Sequence, residues 1–192
     1  MKIVIWNLKG GQGKTVISLS IALLRGSYVI TNDTYSPIEK VLPEGHALQM
    51  DPQDDLPDVP DDIELIYDFG GYPDSRVIKA IKQADVVLIP IIYESPLEMQ
   101  VTINAIEEVE RFTEKIVIVA NKCQGEDVLK VREIIQQFYD YPVYELKKTT
   151  AFAKAIEKKK SMRALMESSK LLEFHYSKPL MQLENLLTFI TS

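Results

Sequence analysis

Two lysines and a threonine stand where they could handle phosphate, in the run Lys9-Gly10-Gly11-Gln12-Gly13-Lys14-Thr15. Three glycines allow the backbone to curl so that successive N–H groups point inward at one anion. A helix starting just behind such a loop adds partial positive charge at its N-terminus. The Lys14 ammonium would reach the β- and γ-phosphates of a nucleotide, and the Thr15 hydroxyl would ligate Mg²⁺. Gly10, Gly11, Gln12, Gly13, Lys14, Thr15 and Val16 are therefore the candidate nucleotide contacts. A second feature suits the same ligand. Ile63 to Tyr67 is a mostly apolar run, interrupted by Glu64, that leads into Asp68-Phe69-Gly70-Gly71. A carboxylate at the carboxyl end of a buried strand can hold a Mg²⁺-bound water, as a Walker B acid does. An Asp there can also simply cap the next helix. Thr15 and Asp68 are the candidate metal ligands.

These residues need a scaffold, and the pattern around them supplies one. Lys2 to Trp6 reads as a strand and Val16 to Leu24 as a helix that is apolar nearly all round, ended by Gly26. Strand, glycine-rich loop, helix is the context that a phosphate-binding loop requires. Further strands are expected at 27–31, 63–67, 84–90, 115–120 and 141–145. Helices are expected at 75–83, from Met99 to Phe112, at 127–139, 151–160 and 162–174, and at the C-terminal end. The last carries Leu180, Leu183, Leu187 and Ile190 at helical spacing. Residues 51–62 hold six aspartates and three prolines and read as an exposed connector. Strands that alternate with helices predict a single domain over 1–192: an α/β fold with a doubly wound, mostly parallel sheet.

The glycine-rich run departs from the ordinary G-x-x-x-x-G-K-[ST] loop, because Leu8 occupies the first glycine position and Lys9 stands beside it. It matches K-G-G-x-G-K-[ST] without a mismatch. The chain thus resembles the ParA/MinD group of deviant Walker A ATPases within the P-loop NTPases. Ala84 to Pro90 followed by Glu94 to Gln100 is also very like that family's strand, loop and helix. The resemblance runs from residue 1 to about 160. It implies ATP and Mg²⁺ as ligands and a two-fold ATP sandwich dimer in which Lys9 crosses to the other subunit's nucleotide. It implies catalytic roles for Lys9 and Lys14. Asp33 falls on the second acid of the family's D-x-D-P-Q segment, with Thr31 on the first, or Asn32 there after a one-residue shift, so Asp33 is the third catalytic candidate. One acid and the Pro-Gln are missing, which predicts slow hydrolysis. Asn121 falls where the family contacts adenine, although an Asn at a turn can also bond its own backbone.

Composition narrows the function. The chain carries 46% hydrophobic residues and one cysteine, Cys123, which fits a core-forming protein of the reducing cytosol without an internal disulfide framework. No apolar run is long enough to span a membrane, and Met1-Lys2-Ile3 leads straight into a strand, so no signal peptide is expected. The net charge of −6 is unevenly placed. Residues 147–163 carry Lys147, Lys148, Lys154, Lys158, Lys159, Lys160 and Arg163 against Glu157, a net +6 that leaves −12 elsewhere. Such a segment is either a solvated face or a DNA-backbone footprint, and ParA-like proteins place non-specific DNA contacts there. The C-terminal helix lacks the cationic side that MinD relatives use on membranes, so packing on the core or on a partner is expected.

The expected activity is a ParA-like ATPase that segregates or positions plasmid or other mobile DNA, as a cytoplasmic homodimer with a small DNA-binding or cargo adaptor protein. The alternative is a MinD/ParA-like switch that positions a protein complex without touching DNA.

Overall fold

A computed structural model describes residues 1–72 and 74–192, and only the backbone of Glu98. The strands are β1 (Lys2–Ile5), β2 (Tyr28–Thr31), β3 (Ala47–Gln49), β4 (Leu65–Asp68), β5 (Val86–Ile91), β6 (Ile116–Cys123) and β7 (Val143–Lys147). The helices are α1 (Lys14–Arg25), α2 (Ile38–Val41), α3 (Ser75–Gln83), α4 (Pro96–Glu110), α5 (Asp127–Gln136), α6 (Ala151–Glu157), α7 (Met162–Glu167) and α8 (Lys170–Thr191). The seven strands form one sheet in the order β3-β2-β4-β1-β5-β6-β7, and each pairing is parallel.

Successive side chains of a strand point to opposite faces, and β1 shows why the sheet needs helices on both. Ile3 and Ile5 join α1, α6, α7 and α8 in one apolar cluster, while Val4 and Trp6 join α3, α4 and α5 in the other. All six β5 residues and all four β4 residues are buried. The expected doubly wound α/β sheet is what the chain builds.

Three details differ from the sequence reading. β3 is absent from the expected strands, because three residues with one exposed leucine carry no period-2 signal. It pairs only with β2 at the sheet edge. The helix expected over 162–174 stops at Glu167. Ser169 begins a new one, its side chain accepting from Leu171 N–H, and α8 then runs unbroken through Pro179 to Thr191. Pro179 sits buried inside that helix, although proline is unfavourable there by about 3 kcal/mol. β6 continues to Cys123, so Asn121 lies within a strand and not after one. Leu180, Leu183 and Leu187 are buried in the core, as the terminal helix was expected to pack. Among the described residues, no helix is long and apolar enough to cross a membrane.

Candidate nucleotide site

Because the strands are parallel, β1, β2 and β4 end at one edge of the sheet, and the loop after each opens there. Thr31 and Ile5 are both register partners of Asp68. The loop after β1 curls into α1 through two left-handed glycines, Gly11 at φ 75° and Gly13 at φ 87°. Gly13 caps α1, and a Cβ there would stand 2.3 Å from Asn121 Nδ2. Only glycine satisfies both the positive φ and the close approach.

Three side chains hold this loop through hydrogen bonds to distant residues. Asn7 is fully buried, donates to Pro90 O at 2.8 Å, and accepts from Lys9 N–H at 2.9 Å. Gln12 Oε1 accepts from Ile92 N–H at 2.6 Å. Asn121 Nδ2 donates to Gln12 O at 2.9 Å, and its Oδ1 accepts from Lys122 N–H at 2.9 Å. The Asn121 amide thus clamps the loop from beneath and keeps one N–H for any further partner.

The cavity above the loop measures about 540 Å³. It brings together Gly10 to Val16, Asp33 and Asp68, nine of the sequence candidates, and adds Gly70, Tyr72 and Lys122. Lys14 Nζ donates to Asn7 O at 3.2 Å and Lys9 O at 3.1 Å, which parks it across the mouth of the loop. Burial pushes its pKa down, against the attraction of the Asp68 and Asp33 carboxylates. Burial pushes the Asp68 carboxyl up to about 6, while the hydroxyls of Thr15 and Ser18 and the Lys14 ammonium pull it back. Asp68 Oδ2 is buried without a hydrogen-bond partner. A buried orphan oxygen beside a threonine hydroxyl fits a hard divalent cation, which takes one or two carboxylates and completes its shell with water and phosphate oxygens.

Lys9 does not line the cavity. Its Nζ pairs with Glu94 Oε2 at 2.7 Å, on the loop between β5 and α4. The basic segment lies elsewhere too. Lys147 and Lys148 lie at the end of β7, at the opposite sheet edge from β3 and the 51–62 loop. Lys158, Lys159 and Lys160 lie beyond the far end of α6, a helix of seven residues or about 10 Å. All seven cations are exposed, but Arg163 pairs with Glu184 at 2.5 Å and Lys147 lies 3.9 Å from Glu145.

Beside the cavity stand Asn32 and three residues that sequence reasoning missed, Tyr72, Asp74 and Arg76; of the four, Tyr72 lines the cavity. Asn32 accepts from Gly70 N–H at 2.8 Å and donates to Asp74 Oδ2 at 2.7 Å. Arg76 pairs with Asp74 at 2.8 Å, which holds that carboxyl down at about 2. No motif marks the last three; the link among the four is spatial.

Comparison with solved structures finds many matches, among them three that span nearly the whole chain. A McdA–ATP complex from Cyanothece, with its residue 38 changed from Asp to Ala, aligns with TM-score 0.66 at 15% identity, over 96% of this chain and 94% of that one. The MinD cell division protein of Aquifex aeolicus gives 0.62 at 16%, over 97% and 96%. A plasmid partition protein of Borrelia burgdorferi bound to AMPPNP gives 0.63 at 12%, over 97% and 98%. The chain has the MinD/ParA P-loop fold. At these identities the likeness concerns the fold alone. No protein-family model and no curated protein matches the sequence.

Proposed function

We propose that this chain is a ParA-like ATPase that closes into a dimer around ATP and Mg²⁺ and positions DNA. The observation that carries the reading is the facing of Lys14 and Thr15, at the start of α1, against the buried, unpartnered Asp68 oxygen across one cavity. Lys14 supports phosphate charge, and Thr15 with Asp68 would hold Mg²⁺, which neutralises charge that develops on the transferred phosphoryl group. Asp33 is the remaining carboxylate of the β2 loop that faces the cavity and orients the attacking water. Thr31 cannot share that work, since its hydroxyl donates to Asp68 O at 2.6 Å. A single acid makes hydrolysis slow. Lys9 leaves Glu94 and reaches the nucleotide of the second subunit on dimerisation.

DNA is held by the exposed lysines of 147–163. An ATP dimer doubles these cations, and each phosphate contact adds counterion release, so binding requires ATP and falls steeply with salt. The experiment is electrophoretic mobility shift of random-sequence duplex with ATP and with ADP, for the parent and for Lys158→Glu/Lys159→Glu/Lys160→Glu. Loss of the shift in the triple variant, with ATP binding intact, supports the DNA role. A triple variant that binds as the parent does moves the reading to a switch for a protein complex. That second reading is favoured by one feature, the ion pairs that already occupy Arg163 and Lys147.

A further inference from the structure

α8 carries more apolar surface than the core uses. Tyr176, Leu180, Leu183 and Leu187 belong to its buried face. A second row, Leu171, Phe174, Lys178 and Met181, is exposed. Its spacing of three, four and three residues puts these side chains on one face, over about 15 Å of helix. Leu171 is 80% exposed, Phe174 89% and Met181 52%. One exposed apolar side chain is ordinary, whereas several on one helix face mark a contact surface.

The first turns of α8 border an open furrow of about 550 Å³ against α6. Lys154, Glu157 and Lys158 line it on the α6 side, and Leu171 and Phe174 line it on the α8 side. Among the described residues, Lys154, Lys158, Lys170 and Lys178 form no ion pair. The furrow shares no lining residue with the nucleotide cavity.

This lining selects its occupant by chemistry. The lysines call for anions, and Leu171 and Phe174 call for apolar side chains. A DNA backbone supplies the first and nothing for the second. An anionic lipid surface supplies both, but it would press negative headgroups onto Glu157. A protein helix supplies both and can set a cation of its own against Glu157. Amphipathic helices are recognised in grooves through apolar anchors at such spacing.

We propose that the furrow between α6 and α8 is a docking site for an amphipathic protein helix with an acidic flank. Its apolar side lies on Leu171, Phe174 and Met181, and its carboxylates meet Lys154, Lys158 and Lys178. The site goes beyond the nucleotide reading and stands without it. Because Lys154 and Lys158 also belong to the segment proposed to hold DNA, helix and duplex compete there.

The test is fluorescence anisotropy on the full chain without nucleotide. The probe is a labelled peptide of about 18 residues, about 27 Å as a helix, with leucines at i, i+3, i+7 and i+10 and glutamates beside them. A scrambled peptide of the same composition is the control. The parent should bind the patterned peptide about 10-fold more tightly than the scrambled one. Leu171→Ser/Phe174→Ser should weaken it about 10- to 100-fold, since two apolar anchors are lost. Both positions are exposed, so the melting temperature should match that of the parent. Lys154→Ala/Lys158→Ala should weaken binding about 2- to 10-fold and flatten its dependence on salt. The proposal is overturned if the parent does not distinguish the two peptides, or if Leu171→Ser/Phe174→Ser binds as the parent does. It is also overturned if the parent ignores both peptides but sediments with phosphatidylglycerol vesicles through Leu171 and Phe174, which would make the patch a membrane contact.

Discussion

The two walls of the nucleotide cavity are built in different ways. The first, residues 10 to 16, is one continuous run that supplies a glycine-rich backbone, one lysine and one hydroxyl. The second draws Asp33 from the β2 loop, and Asp68, Gly70 and Tyr72 from the end of β4 and its loop. Asn32 then ties those two loops together across 38 residues of sequence. A contiguous wall needs little from the rest of the chain beyond a strand before it and a helix after it. An assembled wall depends on side chains that compete for one another and so has room for two states.

The largest effect should come from the first wall. Lys14→Ala removes a partly buried charge from its phosphate partner, a change worth about 2–5 kcal/mol. ATP affinity measured by fluorescence titration should fall by roughly 100-fold, with the melting temperature of the nucleotide-free protein little changed. Next comes Gly13→Ala, which tests shape in place of charge. It forces a non-glycine residue to φ 87° and drives a methyl to 2.3 Å from Asn121 Nδ2. Left-handed strain and overpacking together cost about 3 kcal/mol, to be read from urea unfolding of the apo protein. A neutral result there would mean that the loop relaxes freely and that Asn121 is no clamp.

The third prediction moves to the second wall. The Asp74 carboxyl is held at about 2, below its ordinary 3.8, by Arg76 and Asn32. A depressed pKa gives stability that is fully present above about pH 4 and is lost as pH falls toward 2. The contribution is about 2 kcal/mol. Asp74→Asn should be less stable than the parent at neutral pH and should lose less on acidification, so that the two curves converge near pH 2. Parallel curves from pH 6 to pH 2 would show that Asp74 is not tied down by these partners.

The first wall was fully legible in the sequence, because its chemistry is set by neighbours along the chain. Lys9 to Thr15 carry their spacing with them, and Asp68 sits at the end of an apolar strand that names itself. The sheet was legible for the same reason: β1, β5 and β6 are apolar runs of ordinary length. What was not legible is what distance in sequence conceals. Asn32 and Asp74 meet only after β2 and β4 have paired, and nothing in either segment signals the other. Lys122 lines the cavity because its backbone turns to φ 53°, which no local residue type announces. β3 escaped because a three-residue edge strand has too few side chains to show a period. The break at Ser168 and the unbroken course through Pro179 escaped because local propensity points the other way. There the burial of Tyr176, Pro179, Leu180 and Leu183 against the core overrides it.

The central claim is that the glycine-rich loop serves two subunits: Lys14 holds the nucleotide of its own chain, and Lys9 holds the partner's. Static light scattering with Mg²⁺ and ATPγS tests it most directly. The parent should be a dimer with ATPγS and a monomer with ADP, while Lys9→Ala should bind ATPγS and remain a monomer. A Lys9→Ala protein that dimerises with ATPγS as the parent does would contradict the claim.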